Sequence, residues 1–143
     1  MEHLRSKNVV FAFVMASLVV QSSTRPQPDE IEEMKKTLYN ICYTKYPITE
    51  EHKNNVKKAI ISDDPSFKCF LKCCFDEMSL IDEDGIIDGD SLKEMAPDHI
   101  KPILEQVIPN CIKTVKQDSC EAAFDFVSCV IKVNPSTAAL LPL

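Results

Sequence analysis

Seven cysteines, Cys42, Cys69, Cys73, Cys74, Cys111, Cys120 and Cys129, have the most chemistry to offer in this 143-residue chain. Thiols can pair as disulfides, bind metal or act as nucleophiles. The last two roles need partners that are missing here. Besides His3 near the start, only His52 and His99 are present, and neither sits in a nucleophile or metal motif. No catalytic residue, metal ligand or cofactor site is therefore assigned. The pairing of cysteines is the chemistry to explain.

A second candidate is the acidic stretch Ile81–Ser91, IDEDGIIDGDS, which holds both glycines of the chain, Gly85 and Gly89. An EF-hand calcium loop needs glycine at its sixth position and carboxylates at its first and last. With Gly85 sixth, Leu80 stands first and Ser91 last. With Gly89 sixth, Ile86 stands third and Met95 last. Neither register supplies the ligands, so this segment reads as a solvated turn.

The elements that position the cysteines read as helices. Phe67 to Leu80, FKCFLKCCFDEMSL, is apolar around most of its circumference, as in a helix buried on most sides. Asp63 and Asp64 offer caps, and Pro65 suits a first helical turn. Cys69 and Cys73, four apart, project from one face of this helix and should reach different partners. Before it, Asp29 to Tyr43 carries Ile31, Met34, Leu38, Ile41 and Cys42 at helical spacing, and Glu50 to Ile61 has a thinner stripe capped by Thr49. After it, Ser91 to Ala96 reads as a short helix. His99 to about Gln117 reads as a longer one, which Pro109 should kink or split. Asp118 with Glu121 resembles a capping box opening a last helix, Ser119 to Val133, which Asn134–Pro135 stops. The apolar tail STAALLPL would expose three leucines if free, so it should pack on something. Six helices and no strand follow. Two glycines leave little turn chemistry for hairpins.

Residues 1–23 read as a secretory signal: Arg5 and Lys7, then the apolar run Val9–Val20, then Ser22 and Ser23. The run is too short to span a bilayer. The remaining domain is 24–143, with a C-terminal tail at 134–143. Losing the leader removes two basic residues and one acidic one, so the net charge of −6 becomes −7. Such a chain is repelled by nucleic acid and by anionic membrane surfaces. A secreted, extracellular location and this cysteine density together point to a disulfide framework.

Six of the cysteines, Cys42, Cys69, Cys73, Cys111, Cys120 and Cys129, leave gaps of 26, 3, 37, 8 and 8 residues. Six cysteines allow fifteen pairings, and spacing alone does not choose among them. The pattern resembles the insect odorant-binding proteins, the pheromone- and general-odorant-binding family. The three-residue gap and the two eight-residue gaps carry that likeness, supported by leader, length, charge and helix count. The resemblance spans the mature chain. It implies an all-α, compact six-helix domain enclosing an apolar cavity, with pairs Cys42–Cys73, Cys69–Cys120 and Cys111–Cys129. Loop closure assigns each such bridge roughly 3–4 kcal/mol. Cys74 is additional to the pattern and reads as a buried thiol acting as a small hydrophobe. Pro109 is the second departure.

The resemblance implies a carrier for a small hydrophobic ligand such as an odorant or pheromone, delivered through aqueous lymph to a chemosensory receptor. No enzyme is expected, and the chain is expected to be a monomer or weak homodimer, the extra Cys74 leaving a dimer open. Cavity residues expected from the helical faces are Phe75, Met78, Leu80, Leu92, Met95, Val107, Ile108, Phe126, Val130 and Val133. In the family, positions just after the third cysteine commonly face ligand. The tail is long enough to lie as a lid over one opening, and His52 or His99 could lend the site a pH dependence. A non-olfactory carrier of lipids or hormones shares these features. An interaction module would differ in having a filled core. The Cys73–Cys74 doublet is also similar to that of secreted phospholipases A2, but the histidine and glycine-rich calcium loop of those enzymes are missing.

Overall fold

A computed structural model describes residues 28–143. The expected leader, 1–23, lies outside the described residues. Six α-helices follow one another: α1 Pro28–Lys45, α2 Glu50–Lys57, α3 Pro65–Glu77, α4 Gly89–Met95, α5 Lys101–Cys111 and α6 Ser119–Val133. A 3-10 helix, Pro135–Leu140, closes the chain.

The central helix is α3. The Asp64 carboxylate accepts from the Phe67 N–H at 3.0 Å, and Pro65 opens the first turn, so one orphan donor is satisfied and another is absent. Phe67, Phe70, Leu71, Cys73, Cys74 and Phe75 are all buried, each large apolar side chain contributing roughly 1.5–3 kcal/mol. Both α1 and α6 pack on this helix. Cys73 joins Cys42 of α1 and Cys69 joins Cys120 of α6, with α-carbons 5.7 and 4.6 Å apart. Cys111–Cys129 ties α5 to α6 at 5.5 Å. These are the three pairs that the resemblance implied. Cys74 carries the free thiol and is buried.

Helix ends explain where local reading stops. Helix α2 ends at Lys57 rather than at Ile61 because Ala59 turns left-handed, φ 57°. The Ile60 N–H then reaches back to the Asn55 carbonyl and the Ala59 N–H to that of Val56, a Schellman closure. Ser79, φ 56°, closes α3 the same way, with Leu80 donating to Phe75. Pro109 stays inside α5, and the helix ends at Cys111 instead of running to Gln117. The Gln117 N–H bonds the Asp84 carbonyl at 3.1 Å, which holds the segment before α6 extended along the 82–88 turn. In that turn Asp82 accepts from the N–H groups of Asp84 and Ile86, Ile81 bridges Ile87, and Asp88 caps α4. Asp118 caps α6 as expected, but Glu121 does not complete the box. Its carboxylate pairs with Lys68 at 2.8 Å, drawn by an ammonium that also sits over the Phe124 ring. The tail packs on α6 and α2, with Thr137, Ala138 and Pro142 buried. No described helix is long and apolar enough to cross a membrane.

Candidate apolar binding cleft

The apolar stripe of α1 is wider than the core needs. At about 100° per residue, Leu38 lies beside the line through Met34 and Ile41, and Cys42 lies further round. Cys42 and Leu38 are buried, whereas Met34 is 42% exposed and Ile41 37% exposed. Continuing round the helix come Glu30, Thr37 and Glu33. This wedge of α1 faces Glu77, Met78 and Ser79 at the end of α3 and Met95 at the end of α4. Together they line an open cleft of about 540 Å³. That volume falls within the roughly 300–1,000 Å³ of small-molecule sites.

The floor is rich in methionine. Met34, Met78 and Met95 are unbranched and polarisable, and such side chains repack around ligands of different shape. Met78 packs against the core beneath the floor, and Leu38 is itself buried. The rim is acidic: Glu30, Glu33 and Glu77. The Lys45 ammonium holds Glu77 at 2.7 Å, and the Glu77 carboxylate in turn keeps Lys45 protonated above its ordinary range. Lys35, on the same turn of α1 as Glu33, donates instead to Glu32 and to the Ala139 carbonyl.

Of the residues expected at the site, Met78 and Met95 line this cleft, Met95 being 44% exposed. Phe75, Leu80, Val107, Phe126 and Val130 are buried in one continuous core, where the Phe75 and Phe126 rings meet edge to face at 5.7 Å. Leu92 and Ile108 are partly buried against that core, and Val133 is exposed at the end of α6. Met34, Leu38 and Ile41 also line the cleft, and the sequence marks them only as the apolar face of the first helix. The signal for them was that stripe's excess width. His52 lies at the start of α2, its Nδ1 accepting from the Thr49 N–H at 3.3 Å and its ring 5.1 Å from that of Phe67. His99 is exposed. Neither histidine lines the cleft. Burial pushes the Cys74 thiol up to about 12, so it stays protonated at neutral pH.

Residues 24–133 match the model of the PBP/GOBP family. General odorant-binding protein 72 of Anopheles gambiae is 30% identical over 112 residues, covering 75% of this chain and 93% of its own length. General odorant-binding protein 69a of Drosophila melanogaster is 28% identical over 130 residues, 87% of this chain and 88% of its own. Among solved structures, odorant-binding protein 7 of Anopheles gambiae, which has four disulfide bridges and is in complex with an azo compound, gives a TM-score of 0.72. It is 28% identical over 81% of this chain and 98% of that one. The cysteine spacing, the three bridges and the helix order agree with these matches, and the chain belongs to the PBP/GOBP family.

Proposed function

We propose that this protein is secreted after removal of residues 1–23 and carries one small hydrophobic molecule reversibly through aqueous lymph to a chemosensory receptor. The observation that carries this reading is the methionine-floored cleft, set directly on the core of a domain tied by three disulfides. A rigid frame keeps the site from collapsing, while the methionines adapt to the cargo. The ligand enters past Met34, Met78 and Met95, and to go deeper it must part the packed core of Phe75, Leu80, Leu92, Val107, Ile108, Phe126 and Val130; Val133 lies exposed at the end of α6. A ligand burying about 300 Å² of apolar surface gains roughly 7–8 kcal/mol, near micromolar affinity before ordering costs. Such affinity suits capture and release. Carriage needs no catalytic residue. The same site would serve a non-olfactory carrier of lipids or hormones, and the tissue of expression separates the two.

The test is titration of the oxidised protein lacking 1–23 with an environment-sensitive dye, since the chain has no tryptophan. One saturable site per chain is expected, displaced by some volatile alcohols and esters and not by others. Met78→Gln should weaken binding several-fold, whereas Val115→Gln, at a position 70% exposed and away from the cleft, should not. Absence of saturable binding would put a filled-core interaction module first.

A further inference from the structure

Lys113, Thr114, Val115 and Lys116, between α5 and α6, are four consecutive exposed residues outside any helix. None of the four enters a backbone hydrogen bond with another described residue, so their N–H and C=O groups are open to a partner. We propose that the Lys113–Thr114 bond is the cleavage site for an endopeptidase of trypsin-like specificity, and that the cut protein stays folded as two fragments. Water adds across the bond: the Lys113 carbonyl carbon gains the water oxygen and becomes a carboxylate, and the Thr114 nitrogen leaves as a protonated amine. The site lies apart from the cleft and does not depend on the carrier reading.

Trypsin-like enzymes take a basic side chain into a pocket that ends in a carboxylate, and peptides bind as extended strands through their backbone groups. No arginine lies among the described residues, and of the described lysines only Lys58, Lys113 and Lys116 stand outside a helix. The three differ in the N–H that follows them. After Lys58, the Ala59 N–H is held by the Val56 carbonyl at 2.8 Å, within the closure of α2. After Lys116, the Gln117 N–H is held by the Asp84 carbonyl at 3.1 Å, and the Asp84 carboxylate also holds the Lys116 ammonium at 2.7 Å. After Lys113, the Thr114 N–H has no backbone partner among the described residues. Ile112, just before, already has the extended backbone that a protease groove needs, φ −77° and ψ 126°. Lys113 itself is held at its side chain only by Asp125, at 2.6 Å. That pair is part-exposed and costs little to exchange for a carboxylate in the enzyme's pocket. Both ends of the segment are fixed, Cys111 to Cys129 and Cys120 to Cys69. Both bridges therefore cross the cut, and neither fragment can leave.

The experiment is limited digestion of the oxidised protein lacking 1–23 with a trace of trypsin, followed by intact mass before and after reduction. The first product should be one species heavier by one water, which reduction splits into two, the second beginning at Thr114. Its far-UV circular dichroism should remain that of the helical fold. Lys113→Gln should slow this first cut roughly tenfold or more, because the enzyme's pocket loses its cation. Asp125→Asn keeps Lys113 and removes its partner, so the cut should come roughly two- to fivefold faster, the scale of an exposed pair. A first cut after Lys58 or Lys116 would overturn the proposal, as would no cut before the chain unfolds globally. So would equal cutting rates in Lys113→Gln and the unaltered protein, or loss of the helical signal on cutting.

Discussion

The Lys35 Nζ donates to the Ala139 carbonyl at 3.1 Å, tying the second turn of the first helix to the C-terminal 3-10 helix across 104 residues of sequence. The bond is exposed, so water can replace it at a net cost of about 0.5–1.5 kcal/mol. Lys35→Met keeps the aliphatic stem and removes the donor. The global melting temperature should therefore fall by only a few degrees. Amide exchange should respond more, because Leu141 donates to Ala138 and Leu143 to Leu141 just beyond the tie. Unchanged protection at those amides would mean that buried Thr137, Ala138 and Pro142 hold the tail unaided.

Two helices end in left-handed residues that are not glycine, and both ends can be improved. Ala59 and Ser79 sit at φ 57° and 56° in Schellman closures where glycine carries no Cβ penalty. Ala59→Gly and Ser79→Gly should each raise stability by about 0.5–1 kcal/mol in urea melts, the relief of strain exceeding the added chain entropy. Gly85 gives the reverse case. Its φ is +77°, and a Cβ there would lie 2.7 Å from the Gln117 carbonyl oxygen, a backbone atom with nowhere to go. Gly85→Ala should cost about 1–3 kcal/mol. Stability lost in Ala59→Gly would contradict the assignment of strain to that cap.

Cys74 is buried, with its thiol pushed up to about 12 by desolvation, against an ordinary value of 9.0. The native thiol should resist alkylation at pH 8 and react once urea unfolds the chain. The sign of its linkage follows. The unfolded thiol ionises first, so the stability it contributes is complete below about pH 9. That contribution is lost as the pH rises from 9 toward 12, by at most about 1.4 kcal/mol per pH unit. Lysines titrate in the same range, so the informative comparison is with Cys74→Val, whose stability should fall less steeply between pH 9 and 11. Parallel slopes would mean that the thiol reaches solvent in the folded state.

The parts of the fold legible in the sequence are those decided by neighbours in sequence. Asp118 and Asn134–Pro135 bound α6 by local capping, and its observed limits are those read from the residues. Likewise Asp64 and Pro65 start α3. The end of α5 was not legible, because the Gln117–Asp84 bond that keeps residues beyond Ile112 out of the helix joins segments 33 apart. The half-formed box at Asp118 has a similar cause: Lys68, on another helix, claims Glu121. At the site the obstacle is different. Hydrophobic periodicity marks Met34, Leu38 and Ile41 as one stripe. It cannot say that a rotation of about 40–60° around the helix separates a buried leucine from an exposed cleft wall. For the same reason Phe126 and Val130 read equally as core or as ligand wall.

The bridges should not be equal. Cys69–Cys120 closes a separation of 51 residues and Cys111–Cys129 one of 18, so loop closure gives about 4 and about 3 kcal/mol respectively. Replacing both members of a pair by alanine avoids a stray thiol that could exchange with a remaining bridge. Cys69→Ala with Cys120→Ala should therefore be the less stable by roughly 1 kcal/mol in urea melts followed by far-UV circular dichroism. It also loosens α3 against α6, the packing that buries Phe75 beside Phe126, so dye affinity should fall with stability. Cys111→Ala with Cys129→Ala frees α5 from α6 and leaves the junction of α1, α3 and α4 around the cleft in place. Its dye affinity should change less than its stability. A reversed order of stabilities would show that packing at the α5–α6 contact outweighs the constraint each bridge places on the unfolded chain.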